Sequence, residues 1–339
     1  MNPTVNNSPE ESHNVGAETA GVKVPDVRAK LKASVRTGAK KGWDSFFWMC
    51  KIIVPISLVV ALLQWSGWLS RADFILNPLM RLINLPSEAA LPIISGMLIN
   101  IYAAIAVMAV IPFSIGQMTL VAVFVLIAHN LITEGVIQFR SGINIVEITL
   151  VRIFIAIVTV LIISQFFSDT TASIVLPANL SFQNPLAGVL GVWAIDMLKL
   201  LFKIFLIVMA IMIVLESLHA LGWTEYLFNF FKPLMKVLGL SERAVMPWVT
   251  AVFFGLMYGG AVIHEEIAQG DLKKRELEYL HISIGINHSM VEDPALFLAL
   301  GLNGFWLWVP KLIMAIIVVQ ILRVIRFLGN KVGIARFKR

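Results

Sequence analysis

Two groups of polar and ionisable side chains interrupt otherwise apolar sequence. The denser is Gly-Ile-Asn-His-Ser-Met-Val-Glu-Asp-Pro at 285–294, which contributes Asn287, His288, Ser289, Glu292 and Asp293. The sparser is His129, Asn130 and Glu134. Imidazole and carboxylate can exchange protons near neutral pH or ligate a divalent cation, and amides and hydroxyls can orient a polar solute. At membrane depth each ionisable group costs roughly 2.5 kcal/mol or more unless paired or hydrated, so their presence predicts a solute or ion site. His288 and Glu292 are four apart and share one face of a continuous helix, so any metal ligation expected here falls on that pair, with Asp293 beside it. Each residue also has a structural explanation. A buried histidine can be a hydrogen-bonded core residue, Arg152 and Lys311 can pair with Glu134 and with Glu292 or Asp293, and Asp293 can cap the half-helix that follows. Pro294 removes a backbone donor and predicts a helix broken there, which lipid tolerates where the break lines a cavity.

Such residues need helices to carry them into a membrane. The chain has 339 residues, 58% hydrophobic and 14% charged, against roughly 45–50% and 25% for soluble domains. Apolar runs at 46–65, 89–111, 117–138, 147–167, 190–218, 244–263, 279–301 and 304–325 predict an all-α polytopic membrane protein of about 8 membrane segments. Cys50 is the single cysteine, which excludes an intrachain disulfide framework or thiolate cluster. No phosphate-cradling glycine loop or nucleophile elbow is visible, so neither catalysis nor a cofactor is expected. Seven Lys/Arg at 23–41 and six at 323–339 place both termini in the cytoplasm of a bacterial-type inner membrane. Lipid headgroups, rather than nucleic acid, are the acidic partner these ends predict. The residues before 43 hold no apolar core of the kind a signal peptide needs.

The polar composition of 1–25 predicts a disordered tail. Over 26–43, Val27, Leu31 and Val35 repeat every four residues among lysines and arginines, which predicts a basic amphipathic helix lying on the headgroups. Beyond it the chain repeats itself. Gly67-Trp68 recurs as Gly222-Trp223, Pro78-Leu-Met-Arg81 as Pro233-Leu-Met-Lys236, and Pro92 as Pro247, all 155 residues later. Asn130 and Glu134 align with His288 and Glu292 at 158, and Arg152 with Lys311 at 159. The halves are therefore set at 44–167 and 190–328, joined by a loop at 168–189 and followed by a basic tail at 329–339. Four crossings per half would make the repeats parallel. Three per half, with re-entrant hairpins at 92–111 and 247–263, makes them inverted and leaves the 168–190 stretch, which has no Lys or Arg, as a periplasmic loop. The expected order within each inverted structural repeat is helix, interfacial helix, re-entrant hairpin, broken helix, helix. Gly255-Leu-Met-Tyr-Gly-Gly260 lies midway along the second hairpin, and Asn100 and Tyr102 at the matching tip of the first.

At these residues the chain resembles the nucleoside-recognition, or Gate, domain family, whose relatives include concentrative nucleoside transporters and the membrane part of ferrous-iron transporters. Phe254-Gly255-Leu-Met-Tyr-Gly-Gly260, Glu265-Glu266, Lys273-Lys-Arg275 and His288-Ser-Met-Val-Glu-Asp293 carry the resemblance. It implies substrate held between hairpin tips and broken helices, with Asn287 and Ser289 resembling the polar pair of the second broken helix. The first hairpin departs from the nucleoside transporters, with Ile99-Asn-Ile-Tyr102 at its tip. The expected function is a secondary permease for a small polar solute, with ion coupling open. The alternatives are a divalent-metal pathway and a non-transporting accessory membrane protein. The expected substrate-binding residues are Asn287, His288, Ser289, Glu292, Asp293, Asn130, Glu134, His129, Asn100 and Tyr258. A homo-oligomer is compatible with the sequence.

Overall fold

The computed structural model describes residues 27–67, 73–168, 170–171, 185–269 and 272–331. The tail expected at 1–25, most of the loop expected at 168–189 and residues 332–339 lie outside the described residues. All regular structure among the described residues is helical. In chain order the helices are α1 (Val27–Trp65), α2 (Asp73–Arg81), α3 (Ala90–Leu98), α4 (Ile101–Met108), α5 (Ile115–Ala128), α6 (Leu131–Arg140) and α7 (Ile145–Ser164). They continue with α8 (Leu186–Ala220), α9 (Thr224–Leu238), α10 (Val245–Phe254), α11 (Leu256–Gln269), α12 (Lys274–Asn287), α13 (Glu292–Leu298) and α14 (Gly304–Lys331).

The basic stretch expected at 26–43 does not form a separate helix over its described residues, 27–43, which corrects the expected boundary. It is the first part of α1, whose 39 residues span about 58 Å, nearly twice a hydrocarbon core. The reason is a partner of matching length, the 35-residue α8. Gly38 lets the two backbones touch, since a Cβ there would sit 2.7 Å from Ile213 Cα. Lys41 pairs with Glu216, and further along Trp193 donates to Ser57 at 3.3 Å. Residue 38 faces 213 and residue 57 faces 193, so α1 and α8 run antiparallel.

Among the described residues five stretches are long and apolar enough to cross a membrane: Val27–Trp65, Ile115–Arg140, Ile145–Ser164, Leu186–Ala220 and Gly304–Leu328. In the 115–140 stretch 72% of the apolar window is buried, against 22–33% in the other four. α5 and α6 therefore form the centre, and the outer helices present residues such as Phe154, Leu198 and Phe202 outward, as lipid contact requires.

The segments at 92–111 and 247–263 each fold as two short helices packed on one another. In the first, Asn100 is extended and its side chain accepts from Ala103 N at 3.0 Å, capping α4. In the second, Gly255 turns the chain at φ 87°, a conformation that favours glycine. Gly96 and Ala104 meet across the first pair, Ala251 and Gly259 across the second. Backbone landmarks also recur. Gly67 and Gly222 both have φ 71°, and Gly142 and Gly301 have φ 85° and 86°. Asn144 and Asn303 each accept a backbone N–H two residues on at 2.9 Å. The separation is 155 residues up to the hairpin tips and 159 beyond them, because α11 has 14 residues where α4 has 8.

Candidate functional site

Two helices stop in mid-course and restart. α5 ends at Ala128 and α6 begins at Leu131; α12 ends at Asn287 and α13 at Glu292 takes over. Both breaks use the same device. His129 and His288 are extended, at ψ 164° and 167°, and each ring Nδ1 folds back to the carbonyl four residues earlier, Val125 O or Ile284 O, at 2.9 Å. The next residue is left-handed, Asn130 at φ 49° and Ser289 at φ 48°. That conformation is uncommon for a residue with a side chain and needs outside support. The hairpins supply it, since Asn130 N donates to Gly96 O at 2.9 Å and Ser289 N to Ala251 O at 3.2 Å. The freed carbonyls are met by buried cations, Arg152 donating to His129 O at 2.9 Å and Lys311 to His288 O at 3.1 Å.

The two breaks cross at their histidines, with the Nε2 atoms 3.3 Å apart and the ring centroids 4.9 Å apart. Each carboxylate reaches the histidine of the other helix. Glu134 Oε1 is 3.0 Å from His288 Nε2, and Asp293 Oδ2 is 3.2 Å from His129 Nε2. Glu134 Oε1 is also 3.4 Å from its own half's His129, while Oε2 pairs with Arg152 at 2.7 Å. All four residues at this crossing are at most 5% exposed. The cluster is a closed, charged centre in an apolar core, and its residues can share a proton or ligate a cation.

Several expected site residues stand elsewhere, for clear reasons. His288 and Glu292 do not share a helical face, because the ladder is interrupted between them. Glu292 accepts from Tyr102 at 2.9 Å instead, so the metal pair expected at His288 and Glu292 is replaced by contacts of His288 with Glu134 and His129. Asp293 is not a cap; the position before α13 is Val291, and the Asp293 carboxylate turns to His129. Pro294 does not make the break, since it is the third residue of α13, where no N–H is needed. Asn130 and Ser289 act through their backbones, Ser289 also lying so close to Gly255 that a Cβ there would come within 3.2 Å of its Oγ. Asn287 is fully buried, and neither amide atom has a hydrogen-bond partner. Asn100 caps its hairpin helix by accepting from Ala103 N. The side chain of Tyr258 lies outside the described residues. Arg152, Lys311, Gln138 and His281 belong beside the site although the sequence reading did not count them in it. The sequence already pairs Arg152 with Lys311 at 159, and moving the polar groups from 158 to the same offset brings His129 onto His288 and Glu134 onto Asp293 as well.

Comparison with known proteins bears on the half that holds His129, Glu134 and Arg152. Residues 46–164 match the family described as Gate, nucleoside recognition. That match covers about a third of the chain. Its matched span opens within α1 and closes at the last residue of α7, so it takes in the first hairpin and first broken helix whole. The "Uncharacterized membrane protein YvoD" of Bacillus subtilis (strain 168) is 28% identical over 278 residues, covering 80% of this chain and 88% of the relative. No solved structure matches the chain. With its apolar helices and a membrane-protein relative, this chain is a multi-pass membrane protein.

Proposed function

We propose that this protein is a secondary permease that holds a small polar solute or ion between its two broken helices and releases it alternately to the two membrane faces. The observation that carries this reading is the crossed seating of the carboxylates, Glu134 against His288 and Asp293 against His129. Each half supplies only part of the site, so rocking one half on the other takes it apart. Two inverted halves are a common basis for such motion. The antiparallel α1 and α8 and the landmark pairs at 155 and 159 support that arrangement. The basic ends of the chain support cytoplasmic termini in a bacterial-type inner membrane. A nucleoside-like solute is supported by the description of the matching family and by the unpartnered amide of Asn287 beside the cluster.

The test is flux through the full-length protein in proteoliposomes, using a panel of nucleosides, other small polar solutes and divalent cations. Uptake or exchange of at least one is expected, and Glu134→Gln is expected to remove it while the protein still purifies folded. A folded wild-type protein that moves nothing on the panel would leave the non-transporting accessory role.

A further inference from the structure

The placement of hydrogens around the two imidazoles points to a ligand. Each Nδ1 lies 2.9 Å from a main-chain carbonyl oxygen. A carbonyl only accepts, so both Nδ1 atoms carry hydrogen and both neutral rings present a bare Nε2. Those two lone pairs face each other across 3.3 Å. Both also face Glu134 Oε1, at 3.0 Å from His288 and 3.4 Å from His129, and His129 Nε2 faces Asp293 Oδ2 at 3.2 Å. Four acceptors converge with no donor among them. Asp293 Oδ2 is fully buried without a hydrogen-bond partner, a condition native structures rarely tolerate unexplained. A cation at the centre turns these mutual repulsions into four attractions.

We propose that His129 Nε2, His288 Nε2, Glu134 Oε1 and Asp293 Oδ2 bind one divalent transition-metal ion in a near-tetrahedral N2O2 site. That the ion is cargo or coupling ion rests on the permease reading; the site itself does not. Tetrahedral bonds of about 2.0–2.2 Å to nitrogen and oxygen put ligand atoms about 3.3–3.6 Å apart. Four of the six ligand–ligand separations of that cage are 3.0–3.4 Å, and the His129, His288 and Asp293 atoms all lie within 4.8 Å of one another, so closing the cage brings Glu134 and Asp293 together across the two imidazoles. Each half gives one nitrogen and, five residues on, one oxygen. Two imidazoles select zinc, iron, cobalt or manganese over magnesium and calcium, which prefer all-oxygen sites. The carbonyls on Nδ1 fix the ring orientations, as the outer partners of metal-bound histidines do. Arg152, on Glu134 Oε2 at 2.7 Å, leaves Oε1 for the ion. Arg152 and Lys311 also bring positive charge close by, which weakens the hold on a dication, and a transported ion has to leave.

The experiment uses full-length protein in detergent, stripped with EDTA and titrated with Co²⁺, then challenged with Zn²⁺ and with Mg²⁺. One Co²⁺ per chain with the ligand-field absorption of a tetrahedral site is expected, displaced by Zn²⁺ and not by Mg²⁺. His129→Gln and Asp293→Asn should each weaken binding by at least the roughly 10–100-fold that loss of an outer partner causes. His264→Gln, on an exposed part of α11, should bind as wild type. The wild-type spectrum and stoichiometry decide by themselves if a variant misfolds: no bound Co²⁺, or an octahedral spectrum that the variants leave unchanged, overturns the site. Stabilisation by acid in wild type that binds no metal assigns the centre to protons and overturns it equally. Metal bound without flux in proteoliposomes sinks the permease and keeps the site, whereas solute flux without metal binding does the reverse.

Discussion

At His129 and His288 the two broken helices make the same hydrogen bonds, yet one or two turns away they differ. Gln138 in the first half corresponds to Phe297 in the second, and His281 and Asn287 in the second correspond to Ala122 and Ala128 in the first. All six are fully buried. Gln138 Nε2 donates to His281 O at 3.3 Å, joining α6 to α12. Gln138 Oε1, both ring nitrogens of His281 and both amide atoms of Asn287 have no hydrogen-bond partner. The buried flank of the cluster between α6 and α12 is therefore polar. The matching positions of the other half are the apolar Phe297, Ala122 and Ala128. The break is a backbone device, needing only a carbonyl four residues back and a hairpin carbonyl to hold the left-handed residue. The polarity of the flank is a side-chain matter, and this chain places it on one side.

The largest expected effect separates the two cations that serve the breaks. Arg152→Met strips the buried Glu134 of its ion-pair partner and should cost about 3–5 kcal/mol. Lys311→Met removes a bond to a carbonyl and should cost about 1.5–3 kcal/mol. Denaturation in detergent followed by tryptophan fluorescence measures both, and equal losses would mean that the halves carry their charge alike. His281→Leu tests the polar flank. Removing two unpartnered buried nitrogens should stabilise the fold by about 1–3 kcal/mol while slowing flux in proteoliposomes. A destabilised variant with normal flux would make His281 an ordinary core residue.

The hairpins offer a smaller contrast. A Cβ at Gly259 would lie 2.4 Å from Ala251 Cβ, whereas one at Gly96 would first meet Val125 Cγ1 at 3.0 Å. Gly259→Ala is therefore expected to cost at least about 1 kcal/mol more than Gly96→Ala, because backbone-anchored atoms cannot yield as a side-chain tip can. Smallest is Trp308→Phe. Trp308 pins the second break through a 2.6 Å bond from Nε1 to Met290 O, and the corresponding first-half residue is Thr149. Its loss should cost about 0.5–1.5 kcal/mol and speed amide exchange at 288–291 but not at 129–131. Equal acceleration at both breaks would show the pin to be shared.

The sequence by itself determined the apolar helices, because lipid leaves few other ways to satisfy a backbone. It also supplied the two polar groups and the landmark pairs at 155, which depend on residue types at fixed spacing. It did not determine that 27–43 continues α1, since an amphipathic basic stretch suits a headgroup surface equally well until a 35-residue α8 lies beside it. Nor did it pair the right carboxylate with the right histidine. Spacing predicts a shared face only while the i to i−4 ladder runs unbroken, and the left-handed Ser289 re-aims everything after it. Glu292 swings to Tyr102, and Asp293 to a histidine in the other half. Which atoms meet across that crossing depends on how two helices from opposite halves are packed, and only the tertiary structure carries that information.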